Sequence, residues 1–320
     1  GYRDYDRARA ELVQAERLLP NNVQALQLSA FIDRRQGRWD EAINQLKHAL
    51  ELDPRNTSIG SELGATYYRT RRYADDLAVT EQMLQVDPTN VWFRLLRGFL
   101  ESDRTADLKP LRDVLSSLEA ESPATAREVS SDALGLALWE RNPSAIDRVL
   151  ARLPREGALV QDGVKVPYKF WEGWAAELRD DVAGAHAAFT AARAQLAADL
   201  AHKENHAPSI SFLGLIEAHL GEREEALRHG RRACELLPVE QDAVVGPELV
   251  RRFAAICARL GEKEVAITQL HQLVPIPGGA SYAELRLNPD WDLLRDDPRF
   301  QKIVAGLEPK PVTNRGHLSK

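Results

Sequence analysis

The chain has 320 residues, 44% of them hydrophobic and 28% charged, enough to bury a substantial core and too apolar for a disordered polymer. Its formal charge of −6 and pI of about 5.8 argue against nucleic-acid binding by this fragment, because phosphate recognition needs a basic face. Only Cys234 and Cys257 are present, too few for a disulfide-stapled scaffold, which points to a reduced, cytoplasmic setting; no run approaches the roughly 18 apolar residues of a membrane span.

In chain order, the opening GYRDYDRARAELVQAERLLPNN begins partway through an amphipathic pattern, so the chain is expected to be a piece of a longer protein. Pro20, Pro54 and Pro88 then recur every 34 residues, each closing an amphipathic segment (RLLPNN, ELDPRN, QVDPTN). Between them Ala42, Leu46 and Ala49 recur at three- and four-residue steps, with Glu41, Gln45 and Lys47 on the other faces. Small alanines let two helices approach, and the proline stops the second helix.

These residues resemble the tetratricopeptide repeat family, whose pattern has Leu, Gly/Ala and Tyr on a first helix, then Ala, a large residue, Ala and Pro on a second. A truncated first repeat supplies Ala8, Leu12, Ala15 and Pro20. The third supplies Leu63, Gly64, Tyr67 and Pro88, the sixth Gly173, Ala185, Phe189 and Ala192. The seventh supplies Leu213, Gly214, Ala226, Ala233 and Pro238, and the eighth Ala254, Ala266 and Leu270. The resemblance covers most of residues 1–275 and implies an all-α fold, a right-handed α–α superhelix with short C-terminal capping helices. Asp33 and Glu217 depart from the first-helix Tyr, and Asp76 from the second-helix Ala, leaving the third repeat's register open.

The spacing divides the chain into an N-terminal block over 1–154, irregular across 91–154, and a C-terminal block over 167–275. The stretch PREGALVQDGVKVP interrupts helical patterning, so 155–166 is expected to be a linker or hinge. A capping segment over 276–308 and a disordered tail over 309–320 complete the division. Pro110 falls near a helix start, where its missing N–H costs least.

Chemistry-bearing motifs are sparse. In HKENH, His202 and His206 stand four apart, a metal-capable spacing, but Glu204 is off their face and Asn205, Ala207 and Pro208 signal a helix end; a metal-dependent site there is the lesser alternative. No Gly-x-Ser-x-Gly elbow, phosphate loop or dinucleotide fingerprint occurs, and no catalytic residue, metal or cofactor is assigned. Cys257 takes a first-helix core position and Cys234 lies beside Ala233, as small buried hydrophobes do.

The family resemblance places first-helix residues along a concave groove. Carried onto this chain they include Gln24, Gln27, Phe31, Arg34 and Arg35, then Tyr68 and Arg69, Trp92 and Phe99, and Phe170 and Trp174. A basic, amide-rich groove followed by aromatic residues suits an extended or helical protein segment, an acidic one in particular. The expected function is therefore a non-enzymatic protein-interaction module; self-association through apolar repeat ends is the alternative.

The closing YAELRLNPDWDLLRDDPRFQKIV resembles the end of repeat arrays attached to bacterial winged-helix regulators, serine/threonine kinases and nucleotide cyclases, which implies an effector domain before Gly1. Asn288 and Asp297 each precede a proline, as N-caps do. Asp290 and Asp292 fall in a first turn, Asp292 can pair with Arg295 and Asp296 with Arg299, and Trp291, Leu294, Phe300, Ile303 and Val304 can cover the last repeat.

Overall fold

The computed structural model describes residues 5–19, 21–154, 157–161 and 163–309. After α1 (Tyr5–Leu18) the chain forms successive helical hairpins. These are α2 (Val23–Arg35) with α3 (Trp39–Leu52), α4 (Thr57–Arg69) with α5 (Tyr73–Val86), and α6 (Val91–Thr105) with α7 (Lys109–Glu121). The short α8 (Pro123–Glu128) leads to α9 (Ser130–Trp139) with α10 (Pro143–Leu150). Then come α11 (Tyr168–Glu177) with α12 (Val182–Leu200), α13 (Ala207–His219) with α14 (Arg223–Leu236), and α15 (Gly246–Arg259) with α16 (Lys263–Leu273). The cap is α17 (Tyr282–Leu287), a 3₁₀ turn (Pro289–Leu294) and α18 (Pro298–Leu307). This is an all-α superhelical repeat fold.

The Asp-Pro-x-Asn units both stop one helix and start the next. Pro54 and Pro88 lie just past α3 and α5, while the Asn56 and Asn90 side chains accept from Ile59 N and Phe93 N as N-caps. Asn22 caps α2 in the same way; Pro20 lies outside the described residues. Pro110 sits in the first turn of α7.

Each of the seven hairpins described turns through one left-handed residue: Gly37, Arg71, Ala106, Arg141, Asp180, Gly221 and Gly261. In all but the Ala106 turn, the next N–H reaches back to the helix carbonyl five residues before it, at 2.8–3.0 Å, as in Arg38 N to Asp33 O and Glu262 N to Cys257 O. The family's first-helix Tyr position is thus the residue whose carbonyl closes the turn. The departures there are compensated locally: buried Asp33 accepts from Arg38 Nε at 2.7 Å and pairs with Arg9, and buried Glu217 meets His229 Nδ1 at 2.6 Å.

Glycines mark where paired helices touch. A Cβ on Gly173 would sit 2.7 Å from the Phe189 ring, and one on Gly64 would sit 2.7 Å from Asp76 Oδ1. The second contact resolves the open register, because Asp76 does occupy the small-residue position of α5. Cys257 is fully buried and Cys234 partly so; burial pushes their thiols up to about 12 and about 11.

Two larger cores meet at α6. Phe93, Leu96 and Leu100 join the core of α2–α5, whereas Leu95 joins one that runs on to Ile303. The segment expected as a linker or hinge contains an antiparallel hairpin of β1 (Ala158–Gln161) and β2 (Val164–Pro167). Val164 and Val166 are wholly buried against α12 and α13, with Lys165 exposed between them. The period-two alternation of Val164, Lys165 and Val166 is the strand signal that a search for helical repeats passes over. Residues 155, 156 and 162, and 310–320 of the expected tail, lie outside the described residues.

Asp76 is fully buried with Thr80 Oγ1 3.5 Å from its carboxylate, and burial pushes its carboxyl up to about 7. A raised carboxyl favours the protonated fold, so stability present below the unfolded value of 3.8 is lost as pH rises toward 7. Asp76→Asn removes that loss. Denaturant unfolding should show it stabilising the chain by about 1–3 kcal/mol more at pH 8 than at pH 5.

Candidate ligand-binding cleft

The three arginines expected to make an open basic groove each have a carboxylate from the same chain. In the last turn of α2, Arg34 Nη2 donates to Glu62 Oε2 at 2.6 Å and its guanidinium lies 4.9 Å from the Phe31 ring centre. Next to it, Arg35 Nη1 donates to Asp242 Oδ2 at 2.6 Å, a carboxylate with no exposed surface. Asp242 also accepts from Val244 N, Val245 N and Tyr5 Oη, and Ala243 N donates to the Arg35 carbonyl at 2.9 Å. From α4, Arg69 reaches Glu248 Oε1 at 3.1 Å and the Val244 carbonyl at 3.2 Å. The turn before α15 is therefore bonded into the N-terminal hairpins.

A second strap follows along 278–281. Gly278 N donates to the Arg69 carbonyl at 2.8 Å, Arg71 Nη2 to the Ala280 carbonyl at 3.1 Å, and Ser281 Oγ to Asp103 Oδ1 at 2.5 Å. Behind it α17 packs on α6. Asp103 also accepts from Tyr68 Oη; burial raises its carboxyl to about 6 against the pull of these hydroxyls. Arg35 and Arg69, expected to face a partner, bind carboxylates of the turn before α15 and of its first helical turn.

The other groove residues separate. Gln24 is exposed, and Gln27 lies 3.4 Å from the Ser58 hydroxyl. Trp92, 49% exposed, lines the interior with Tyr68 and Phe99, whose rings are tilted against each other at 5.7 Å between centres. Phe170 and Trp174 are buried at the far end, against Phe212 and His219 respectively. Burial, reinforced by Arg259, pushes His219 down to about 4 and so leaves it neutral at pH 7.

Between these ends lie two adjoining cavities of about 350 Å³ each, which share Phe99, Asp132, Trp139, Glu248, Arg251 and Glu284 as walls. The one beside α11 adds Trp171, Asp290 and Trp291. Burial lifts Asp132 to about 6 and Asp290 to about 6, with Arg259 partly opposing the second. Asp132, Gly135 and Trp139 stand at i, i+3 and i+7 on α9 and line this space together. Sequence reading missed them because the drift of proline spacing over 91–154 hid the repeat, although the helical period was present to be found.

The remaining candidates are structural. His202 lies in the turn after α12, and His206 precedes α13 with Nδ1 2.7 Å from Ser209 Oγ, so the two share no helix face. Among the described residues no three His, Cys, Asp or Glu side chains gather as a metal would require. Asn288 and Asp297 cap the helices that follow, and Asp292 pairs with Arg295 at 2.6 Å as expected. Arg299 bonds Asp297 and Glu264 rather than Asp296, because the cap carboxylate and α16 lie within its reach. Trp291, Leu294, Phe300 and Ile303 are buried over the last repeat, with Val304 packed against them. Among the described residues no helix is long and apolar enough to cross a membrane.

Residues 32–70 match the sequence model described as TPR repeat. No curated protein matches the chain. Among solved structures, a tetratricopeptide repeat protein from Parabacteroides merdae aligns over 96% of this chain and 93% of its own, at 14% identity and TM-score 0.35. The human IFIT1 dimer with m7Gppp-AAAA aligns over 93% of this chain and 75% of its own, at 10% identity and TM-score 0.51. The human IFIT1 dimer with PPP-AAAA gives 10% identity over 94% and 78%, with TM-score 0.50. At these identities the IFIT1 likeness speaks for the fold alone. Such repeat folds generally mediate protein–protein interaction.

Removing Arg35 strands a buried carboxylate. Arg35→Ala should lower unfolding free energy by about 1–3 kcal/mol, the cost of a half-broken buried pair discounted for the exposed part of the guanidinium. Arg228→Ala, whose partner Glu225 is exposed, should change it by less than about 0.5 kcal/mol. Chemical denaturation of both variants checks the contrast.

Proposed function

We propose that this chain is a non-enzymatic protein-interaction module, a regulatory or scaffolding part of a larger protein, and that it receives an extended or helical partner segment in the interior cleft. The observation that carries this reading is the cleft itself: two adjoining spaces of about 350 Å³ walled by aromatic rings and convergent charged groups within a repeat fold. Phe99 and Trp139 offer rigid anchoring area at its centre, and half-exposed Trp92 adds to its wall. The end-piece that resembles the closing stretch of bacterial regulators supports the regulatory role.

The RNA named with the IFIT1 structures does not carry over on chemistry. A polyanion needs an excess of cations, whereas Asp132, Glu248, Glu284 and Asp290 outnumber Arg251 and Arg252 in the walls of the cavity beside α11. An acidic partner segment is disfavoured for the same reason. Its expected arginines, Arg34, Arg35 and Arg69, are held by Glu62, Asp242 and Glu248.

Selection of peptides from a displayed random library on the whole chain tests this reading. Selected peptides should lose at least tenfold in affinity for Trp139→Glu and keep it for Leu28→Glu, which alters an exposed residue of α2. Equal binding to the Trp139→Glu variant, or no enrichment above background, would contradict it.

A further inference from the structure

The short helix α17 borders two spaces. Glu284 and Asn288 line the cleft, whereas Tyr282 and Arg286, also four apart, line a separate open groove of about 550 Å³ against α18. Val304 and Ala305 of α18 give this groove an apolar strip, and Arg141 and Arg295 complete its basic side.

The cations here outnumber the acids. Arg141 Nη2 and Arg295 Nε donate to one and the same oxygen, Asp292 Oδ1, at 2.7 and 2.6 Å, so one carboxylate answers two guanidiniums. Both are held in place by main-chain carbonyls, Arg141 by Leu287 at 3.3 Å and Arg295 by Arg286 at 2.5 Å and Asn288 at 3.0 Å. Arg286 is exposed and donates to the neutral Tyr282 Oη at 3.2 Å, with its guanidinium 5.8 Å from that ring's centre. Among the described residues no carboxylate lies within ion-pair distance of Arg286. The acid in the lining, Glu308, meets Tyr282 Oη at 3.4 Å. Three guanidiniums thus stand against two carboxylates, Asp292 and Glu308, in a chain of net charge −6. The balance is the reverse of that in the cavity beside α11. Residues 310–320, KPVTNRGHLSK, contain no Asp or Glu, so the side chains that follow α18 do not supply the missing negative charge.

We propose that the groove between α17 and α18 docks an acidic amphipathic segment of a partner protein. A carboxylate of the segment pairs with Arg286, beside the two guanidiniums already fixed on Asp292, and a neighbouring apolar side chain lies on Val304 and Ala305. Guanidinium forks match carboxylates, and holding Arg141 and Arg295 on carbonyls lowers the ordering cost of meeting one. A compact inorganic anion satisfies Arg286 but leaves the apolar strip of α18 uncovered, which is why a peptide fits better. The groove is distinct from the interior cleft, so this inference stands or falls independently of the cleft's ligand.

Peptides selected on the whole chain from a displayed random library test it. Among the enriched clones should be a class that couples Asp or Glu to Leu, Ile or Phe and whose binding weakens as salt is raised. That class should lose tenfold or more in affinity for Arg286→Glu and for Ala305→Glu, and keep its affinity for Trp139→Glu. Arg286 and Ala305 are both exposed, so unfolding should stay cooperative in each variant. Enrichment of no acidic class, or acidic peptides that bind both groove variants as tightly as the unaltered chain, would overturn the inference. Acidic peptides lost with Trp139→Glu but kept with Arg286→Glu would overturn it while leaving the cleft reading intact. Inorganic phosphate that binds as tightly as the peptides, and with the same need of Arg286, would overturn the peptide occupant in favour of a simple anion. Dimers of the unaltered chain that light scattering finds dispersed by Arg286→Glu would overturn the separate partner in favour of a second copy.

Discussion

The contact on which the rest of this structure depends is the seating of the turn before α15 in the concave side of the first hairpins. Arg35 reaches a carboxylate with no exposed surface 207 residues away, and the Arg35 carbonyl takes the Ala243 N–H beside it. Arg69 repeats the arrangement one hairpin later with Glu248, Val244 and Gly278. A repeat array whose units touch only their neighbours is quasi-one-dimensional and its interior stays open. These long-range bonds fold the array back on itself, turning a groove into walled cavities. In such a space a carboxylate such as Asp290 has little water to solvate it, which is why its charge is costly and its carboxyl raised.

The turns between paired helices take part in the same closure. Left-handed backbone suits glycine and costs other residues about 1 kcal/mol, yet Arg71 and Arg141 occupy two of these positions. Both reach the C-terminal segment: Arg71 donates to the Ala280 carbonyl, and Arg141 to the Leu287 carbonyl and to Asp292. The side chain gained there offsets the strain a glycine would have avoided. Asp292, which looks in the sequence like half of an acidic site, is the far end of this contact as well as the partner of Arg295.

Much of the fold was legible because its determinants are local. The 34-residue proline period, the alanines at helix crossings, Gly64 and Gly173 at close contacts and the Asx caps before Pro289 and Pro298 each act within a few residues of where they stand. The candidate site was legible only in part. The family resemblance assigned Tyr68, Trp92, Phe99, Phe170 and Trp174 to a groove, but it carries no information about what faces them from 200 residues on. Arg35 and Arg69 therefore read as ligand-seeking when their partners, Asp242 and Glu248, belong to the chain itself. Asp132 and Trp139 were hidden for a different reason: α8 interrupts the spacing of the repeats. Val164 and Val166 were hidden because two four-residue strands leave only a brief alternation between long helical patterns.

The closure can be tested by a covalent bond that only a closed array permits. A Cβ on Gly37, in the turn of the first complete hairpin, would lie 3.6 Å from the Cβ of Ala243, within the range a disulfide spans. Gly37→Cys/Ala243→Cys, with Cys234 and Cys257 replaced by alanine, should oxidise to an intramolecular disulfide in dilute solution, seen by non-reducing mass spectrometry with helicity retained. Two free thiols that stay reactive to alkylation in a folded monomer, or disulfides that form only between molecules, would contradict the closed architecture.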